Sequence, residues 1–399
     1  MNVLHLASEL IQHPTPNPPG AERPLAEFLT ATLRDLGLQA DVLPVPGAPP
    51  AQTNVFARLP AAPGSASPAR PPLVLCGHLD TVPPGDGAWT RDPYRPTVEG
   101  ERLYGLGASD MKGAIAAMSL AAARLAREQD AGRPLLADLL LAFTSGEETT
   151  SLGARALAAS GLLDGAAGLV IGEPTGNRVG ISEKGGMWVE LTLRGRTAHG
   201  SLPHLGANAV AGLAAALSRL ESGEGSPAAD ALRRALEAPE DPFLGRPTLT
   251  PTRLSGGVGN NVVPDRASAT LDIRTLPGQS HGAIRKGIEA VAAEIATARG
   301  LRAELADLGE RSPLATPEDH PLVRACAGAV EATLGRPAER CGLTGATDAT
   351  EIVPALGIPF VICGPGQMAQ AHFPDEFVEV GSLEASVEIY YRLARALCT

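Results

Sequence analysis

The chain is short of lysine, of aromatics and of paired cysteines. Of the 33 basic residues only Lys112, Lys184 and Lys286 are lysines, a skew that reads as a coding bias and carries no function. A formal net charge of −11, with no clustered basic stripe, argues against non-specific nucleic-acid binding. Five cysteines (Cys76, Cys326, Cys341, Cys363 and Cys398) are odd in number, scattered and without C-x-x-C spacing. They read as reduced core thiols, and a cysteine-ligated structural zinc is excluded. No run approaches about 18 apolar residues, so no membrane span is expected. The opening "MNVLHLASELIQHP" reads as an amphipathic helix start with no basic n-region or cleavage site, so a cytoplasmic location is expected.

What is present is globular. At 399 residues, 44% hydrophobic and 19% charged, the chain calls for two domains or three. An Ala/Pro/Ser stretch at 61–72 reads as a surface loop. Four short apolar runs have strand character: "LVLC" (73–76), "LLLAF" (139–143), "GLVI" (168–171) and "FVIC" (360–363). Helical patterns such as 113–129 and 151–160 lie between them. Strands alternating with helices predict a mostly parallel α/β sheet covered on both faces. The middle differs. Segments 186–196 and 267–276 alternate with period two, and 206–222 and 281–299 read as helices. That pattern predicts an inserted α+β piece with an antiparallel sheet over 182–294, flanked by 1–181 and 295–399.

In open α/β sheets, sites form outside the carboxyl ends of the strands. After 73–76 come His78 and Asp80; after 139–143 come Glu147 and Glu148; after 168–171 comes Glu173; shortly after 360–363 comes His372. Asp110 stands at a loop–helix junction. Each has a plain alternative taken alone: Asp110 as a helix N-cap, Glu147 and Glu148 as acids favoured at a helix start, His372 as a surface histidine. Together, two histidines and several carboxylates at one sheet edge match a two-zinc or similar site.

The segments "GHLDTVP", "GLGASDMKGAIAAM", "TSGEE", "GEPT", "NNVVPDRASATLDIR" and "AHFPDE" resemble, in order, the signature of the acetylornithine deacetylase and succinyl-diaminopimelate desuccinylase family of co-catalytic zinc metallopeptidases. The resemblance runs from about residue 8 to 395. It implies a zinc exopeptidase-like catalytic domain and an inserted lid and dimerisation domain, hence a homodimer. It implies that His78, Asp110 and Glu173 hold one metal, and that Glu148, His372 and the shared Asp110 hold a second. Zinc is the expected ion, with cobalt a possible substitute. It further implies Glu147 as general base, Asp80 as the carboxylate fixing the His78 tautomer, and a cis peptide between Asp110 and Met111. His199 is implied as an oxyanion donor reaching in from the partner's lid. Asn260, Asn261 and Arg274 are implied as the groups holding the substrate carboxylate.

The chemistry stands beside the resemblance. An amide is a poor electrophile and neutral water a poor nucleophile. Two cations about 3.5–4 Å apart can share a water and polarise the carbonyl, with Glu147 moving the proton. The expected activity is hydrolysis of N-acyl amino acids, with a carboxypeptidase or dipeptidase as the alternative. In "LTGATDATEI" (343–352), which resembles the family's substrate-loop segment, Thr350 stands where the family often has arginine or a similar polar residue. Two rivals come from other classes. "GQSHG" (278–282) matches the serine-hydrolase G-x-S-x-G pattern, with Asp348 and His372 following; its plain reading is a helix N-terminal turn. A non-enzymatic metal-binding relative would need the ligands but no Glu147. His5, His13, His204, His281 and His320 read as structural or exposed.

Overall fold

The computed structural model describes residues 1–62 and 70–399, so most of the loop read at 61–72 lies outside the described residues. The chain divides into two compact units. The first comprises Met1–Ile181, Ala315–Gly342 and Thr347–Thr399; the second comprises Ser182–Leu314 and Leu343–Ala346.

The first unit is built on one sheet. Its strands lie in the order Gln39–Pro44, Thr53–Leu59, Ala137–Thr144, Arg70–His78, Gly168–Ile171, Phe360–Ile362, Val179–Glu183. The four strands from Ala137–Thr144 to Phe360–Ile362 run parallel, and the flanking pairs are antiparallel. Leu73 to His78 are all buried, as are Gly168–Ile171 and Phe360–Ile362, because helices cover both faces of these strands. Lys112–Asp130, Val380–Cys398, Pro321–Leu334 and Val3–Ile11 pack in one set, and Leu152–Ala159 packs with Ala349–Leu356 in another. Register sets the edge that matters: His78 lies opposite Thr144, Cys76 opposite Ile171, and Ile362 opposite Ile171. The four carboxyl ends therefore open onto one side.

In the second unit a four-stranded antiparallel sheet runs Thr248–Gly256, Arg266–Thr275, Gly185–Arg194, Arg302–Arg311. Along Arg266–Thr275 every second residue is buried, so Ala267, Ala269, Leu271 and Ile273 face a core. That core is completed by Ala209–Ser222, Pro227–Leu236 and His281–Ala298. Asn208, Ser226 and Ser280 cap these helices by accepting the N–H groups of Ala211, Ala229 and Ala283.

The return boundary at 294 needs correction. The helix continues to Ala298, and Arg302–Arg311 pairs along Gly185–Arg194 as a fourth strand. This strand is at the sheet edge and largely exposed, so it lacks the apolar alternation that marked its neighbours. All five cysteines are free and buried. Among the described residues no helix is long and apolar enough to cross a membrane.

Candidate metal centre

His78 ends its strand buried, with Nδ1 2.9 Å from the backbone carbonyl of Asp80. Nδ1–H donates to that carbonyl, which turns Nε2 to the cluster. The Asp80 carboxylate was expected to do this work, yet its Oδ1 lies 3.7 Å from Nδ1. It holds the opposite wall instead. Oδ1 accepts the N–H of Glu147 at 3.2 Å, and Oδ2 accepts the N–H of Glu148 at 3.2 Å and the Asn17 amide at 2.9 Å. Asp80 thus fixes the turn after Ala137–Thr144 that delivers both glutamates, while its backbone orients His78.

Asp110 lies between the two histidines. Its Oδ1 is 3.0 Å from His78 Nε2 and its Oδ2 is 3.4 Å from His372 Nε2. Glu148 Oε1 is 3.2 Å from the same His372 nitrogen, and Glu173 Oε1 is 3.6 Å from His78 Nε2. His78, Asp110 and Glu148 each offer one ligand atom within 4.8 Å of the others. The N-cap alternative for Asp110 falls away: Met111 is the cap residue of Lys112–Asp130, and no side chain caps that helix. The Asp110–Met111 peptide is cis, as expected. Gly77 and Gly172 make room for Met111; a Cβ on either would come within 2.7 Å of its Cε.

Charge balance is uneven at this edge. Burial pushes the Glu173 carboxyl well up, and Asp110 adds to the push. Burial would raise Asp110 too, but its bonds to His372 and His78 hold it far below the usual carboxylate range. His372 is pushed up to about 10 by its bonds to Asp110 and Glu148. Desolvation works against a charged His78, and Asp110 and Glu173 overcome it. Among the described residues the ion pairs of Asp110, Glu148 and Glu173 are all with these histidines. The cluster therefore calls for added positive charge.

Three buried groups escaped the sequence reading. Glu376, in "AHFPDE", accepts the N–H groups of Ser109 at 2.8 Å, Asp110 at 3.0 Å and Gly107 at 3.1 Å. Burial, then the Asp110 charge, pushes it up to about 8 against those three bonds. Lys112 is fully buried, donates to the His13 carbonyl at 2.8 Å, and is pushed down to about 7 by burial. A lysine kept beside Asp110 in a chain that otherwise uses arginine was a usable signal. Asn17, held by Asp80, gave none.

The second unit holds the remaining candidates. His199 is exposed, and its Nδ1 accepts the Ser201 N–H at 3.2 Å, with the Ser201 hydroxyl at 2.7 Å. An accepting Nδ1 places the proton of the neutral ring on Nε2, which is then a donor. Gly200 donates to the Asn261 carbonyl at 2.6 Å and Val263 to Ala198 at 2.8 Å, so His199, Asn260 and Asn261 share one corner. Arg274 does not join them. It pairs in register with Gly186, near the end of the sheet where the chain enters this unit, whereas Arg266 and Arg194 mark the other end. Eight residues of strand separate the two ends by about 26 Å at about 3.3 Å per residue. Two nitrogens of the Arg274 guanidinium, Nε and Nη2, already bond Asp272 at 2.7 and 3.0 Å. Trp188 donates to the same carboxylate at 2.8 Å, and Arg274 stacks over its ring at 5.1 Å. Ser280 of the serine-hydrolase rival caps its helix, as the plain reading has it. His13 stacks on Phe28, and His320 accepts the Leu322 N–H at a helix start.

A parallel sheet with imidazoles and carboxylates gathered at its carboxyl edge defines the class of metal-dependent hydrolases. The chain belongs to peptidase family M20/M25/M40, whose model matches residues 74–396. It is 32% identical over 377 residues to an acetylornithine deacetylase of Klebsiella pneumoniae, covering 94% of this chain and 91% of that one. It is 27% identical over 411 residues to a probable succinyl-diaminopimelate desuccinylase of Staphylococcus epidermidis, covering 98% and 97%. The fold matches a dinuclear metal-binding peptidase of the M20 family from Bacillus subtilis, with a TM-score of 0.74 at 18% identity, over 99% and 97% of the two chains.

Proposed function

We propose that this chain hydrolyses the amide bond of N-acyl amino acids with two divalent cations, zinc first and cobalt as a substitute. The observation that carries the reading is the division of the Asp110 carboxylate, one oxygen toward His78 and the other toward His372. His78, Asp110 and Glu173 would hold one ion; His372, Glu148 and the shared Asp110 would hold the other. The donor set fits: imidazole and carboxylate suit zinc and cobalt, and the buried carboxylates pair only with histidines among the described residues. When bound, such ions lower the pKa of a water and polarise a carbonyl oxygen.

This chain's own groups do the rest. Glu147 takes the proton of the attacking water and delivers it to the leaving nitrogen, a role that typically contributes about 10²–10⁴-fold. Asp80 keeps Glu147 in place through its N–H. The Nε2–H of His199 suits donation to the developing oxyanion. Arg274 retains Nη1 for a substrate carboxylate while Asp272 fixes its plane. The deacylase names of the two curated relatives support an N-acyl amino acid over a peptide. A panel of N-acetyl and N-succinyl amino acids and dipeptides, run on zinc-loaded protein, tests this. Turnover of the N-acyl compounds is expected; turnover of dipeptides alone would move the reading to a dipeptidase or carboxypeptidase.

The working molecule in this reading is a homodimer formed through the second unit, with His199, Asn260 and Asn261 serving the partner's site. Strand length supports it, since the two sheet ends of one protomer, about 26 Å apart, cannot both reach one small substrate. The surface supports it too. Thr248–Gly256 is an edge strand; Leu254 on it and Val258 just past its end are 68% and 77% exposed, and Leu202 and Leu205, before Ala209–Ser222, and Val210, in its first turn, are exposed too.

A further inference from the structure

We propose that Glu376 is a positioning residue that seats the Asp110 loop for metal binding. The proposal rests on the reading of Asp110 as the shared ligand. The Glu376 carboxylate is buried, and among the described residues its three hydrogen bonds all come from backbone N–H groups, those of Gly107, Ser109 and Asp110. These are the residues that lead into the ligand, and one of the three groups is the ligand's own amide. A neutral acceptor would satisfy loop amides at lower desolvation cost than a buried carboxyl. Glu376 has a second connection that a simple loop anchor lacks. It stands four residues after His372, on the same short segment, and His372 faces the other oxygen of Asp110.

Two ligand-bearing loops far apart in sequence are thereby tied twice, once through the Asp110–His372 contact and once through Glu376. Seating one loop seats the other. Without Glu376, metal would have to organise the 107–110 loop as it bound, and affinity would fall by the ordering cost. Groups that orient metal ligands are typically worth about 10–100-fold in affinity.

The test is zinc or cobalt titration of chelated full-length protein, comparing wild type with Glu376→Gln and Glu376→Asp. Glu376→Gln preserves size but turns an N–H₂ toward one of the three amides. The expected result is metal affinity lower by about 10–100-fold, a kcat near wild type once metal saturates, and faster hydrogen exchange at the Gly107, Ser109 and Asp110 amides. Leu29→Ala, a core truncation in Arg23–Asp35, a helix that supplies no candidate ligand, controls for lost stability and should leave metal affinity alone. Should Glu376→Gln fail to fold, Glu376→Asp carries the same titration with a shortened reach. Unchanged affinity and unchanged exchange in a folded variant would overturn the proposal. Wild type that binds no metal, or Asp110→Ala that binds like wild type, would instead overturn the reading of the site.

Discussion

Adjacent glutamates in one turn, Glu147 and Glu148, carry different tasks in the proposed reading. Glu148 meets His372 at 3.2 Å, and the backbone of both hangs from Asp80. Glu147→Gln should therefore keep its metal and lose about 10²–10⁴-fold in kcat. Metal loss with normal turnover per bound metal would contradict its role as base. A second residue bears on stability. Burial, then the Asp80 charge, pushes Glu22 up from 4.5 to about 8, outweighing the opposite charge of Lys112. A carboxyl raised in the folded state binds more protons folded than unfolded between those values, so its effect on stability turns unfavourable as pH rises through that window. Glu22→Gln should leave Tm unchanged near pH 3.5, below both values, and raise it near pH 9. Equal shifts at both pH values would contradict the assignment.

At the scale of elements, strands buried on both faces were the most legible part of the sequence. Their apolar runs, and the acids and histidines after them, placed His78, Asp80, Glu147, Glu148, Glu173 and His372 on one sheet edge. Edge elements were not legible. Arg302–Arg311 is exposed over most of its length and alternates weakly, so the second unit was ended too early. The partners of the carboxylates were hidden for a different reason. Asp80 and Glu376 act on backbone N–H groups, and a backbone amide leaves no mark in a sequence. The G-x-S-x-G match shows how a motif is read once its element is known. Ser280 accepts the Ala283 N–H at the start of His281–Ala298. Ser280→Ala should cost about 1 kcal/mol in unfolding free energy and leave amide hydrolysis intact. Loss of activity with unchanged stability would revive the serine-hydrolase reading.

At the scale of the whole molecule, two levels of completeness are at stake. One is the dimer. Co-expression of Glu147→Ala with His199→Ala leaves one site of each mixed dimer with both lesions and the other with none. Random pairing should then restore about a quarter of wild-type sites; a mixture as dead as its parents would place His199 in its own chain's site. The other is the metal centre on which everything rests. Chelated protein should be titrated with zinc while bound metal and hydrolysis of an N-acyl amino acid are measured together, for wild type and Asp110→Ala. The account predicts that wild type takes up two equivalents per chain and gains its full rate with them, and that Asp110→Ala loses tight binding of both. Full hydrolysis by the metal-free protein, or an Asp110→Ala variant that still binds both ions tightly, would contradict it.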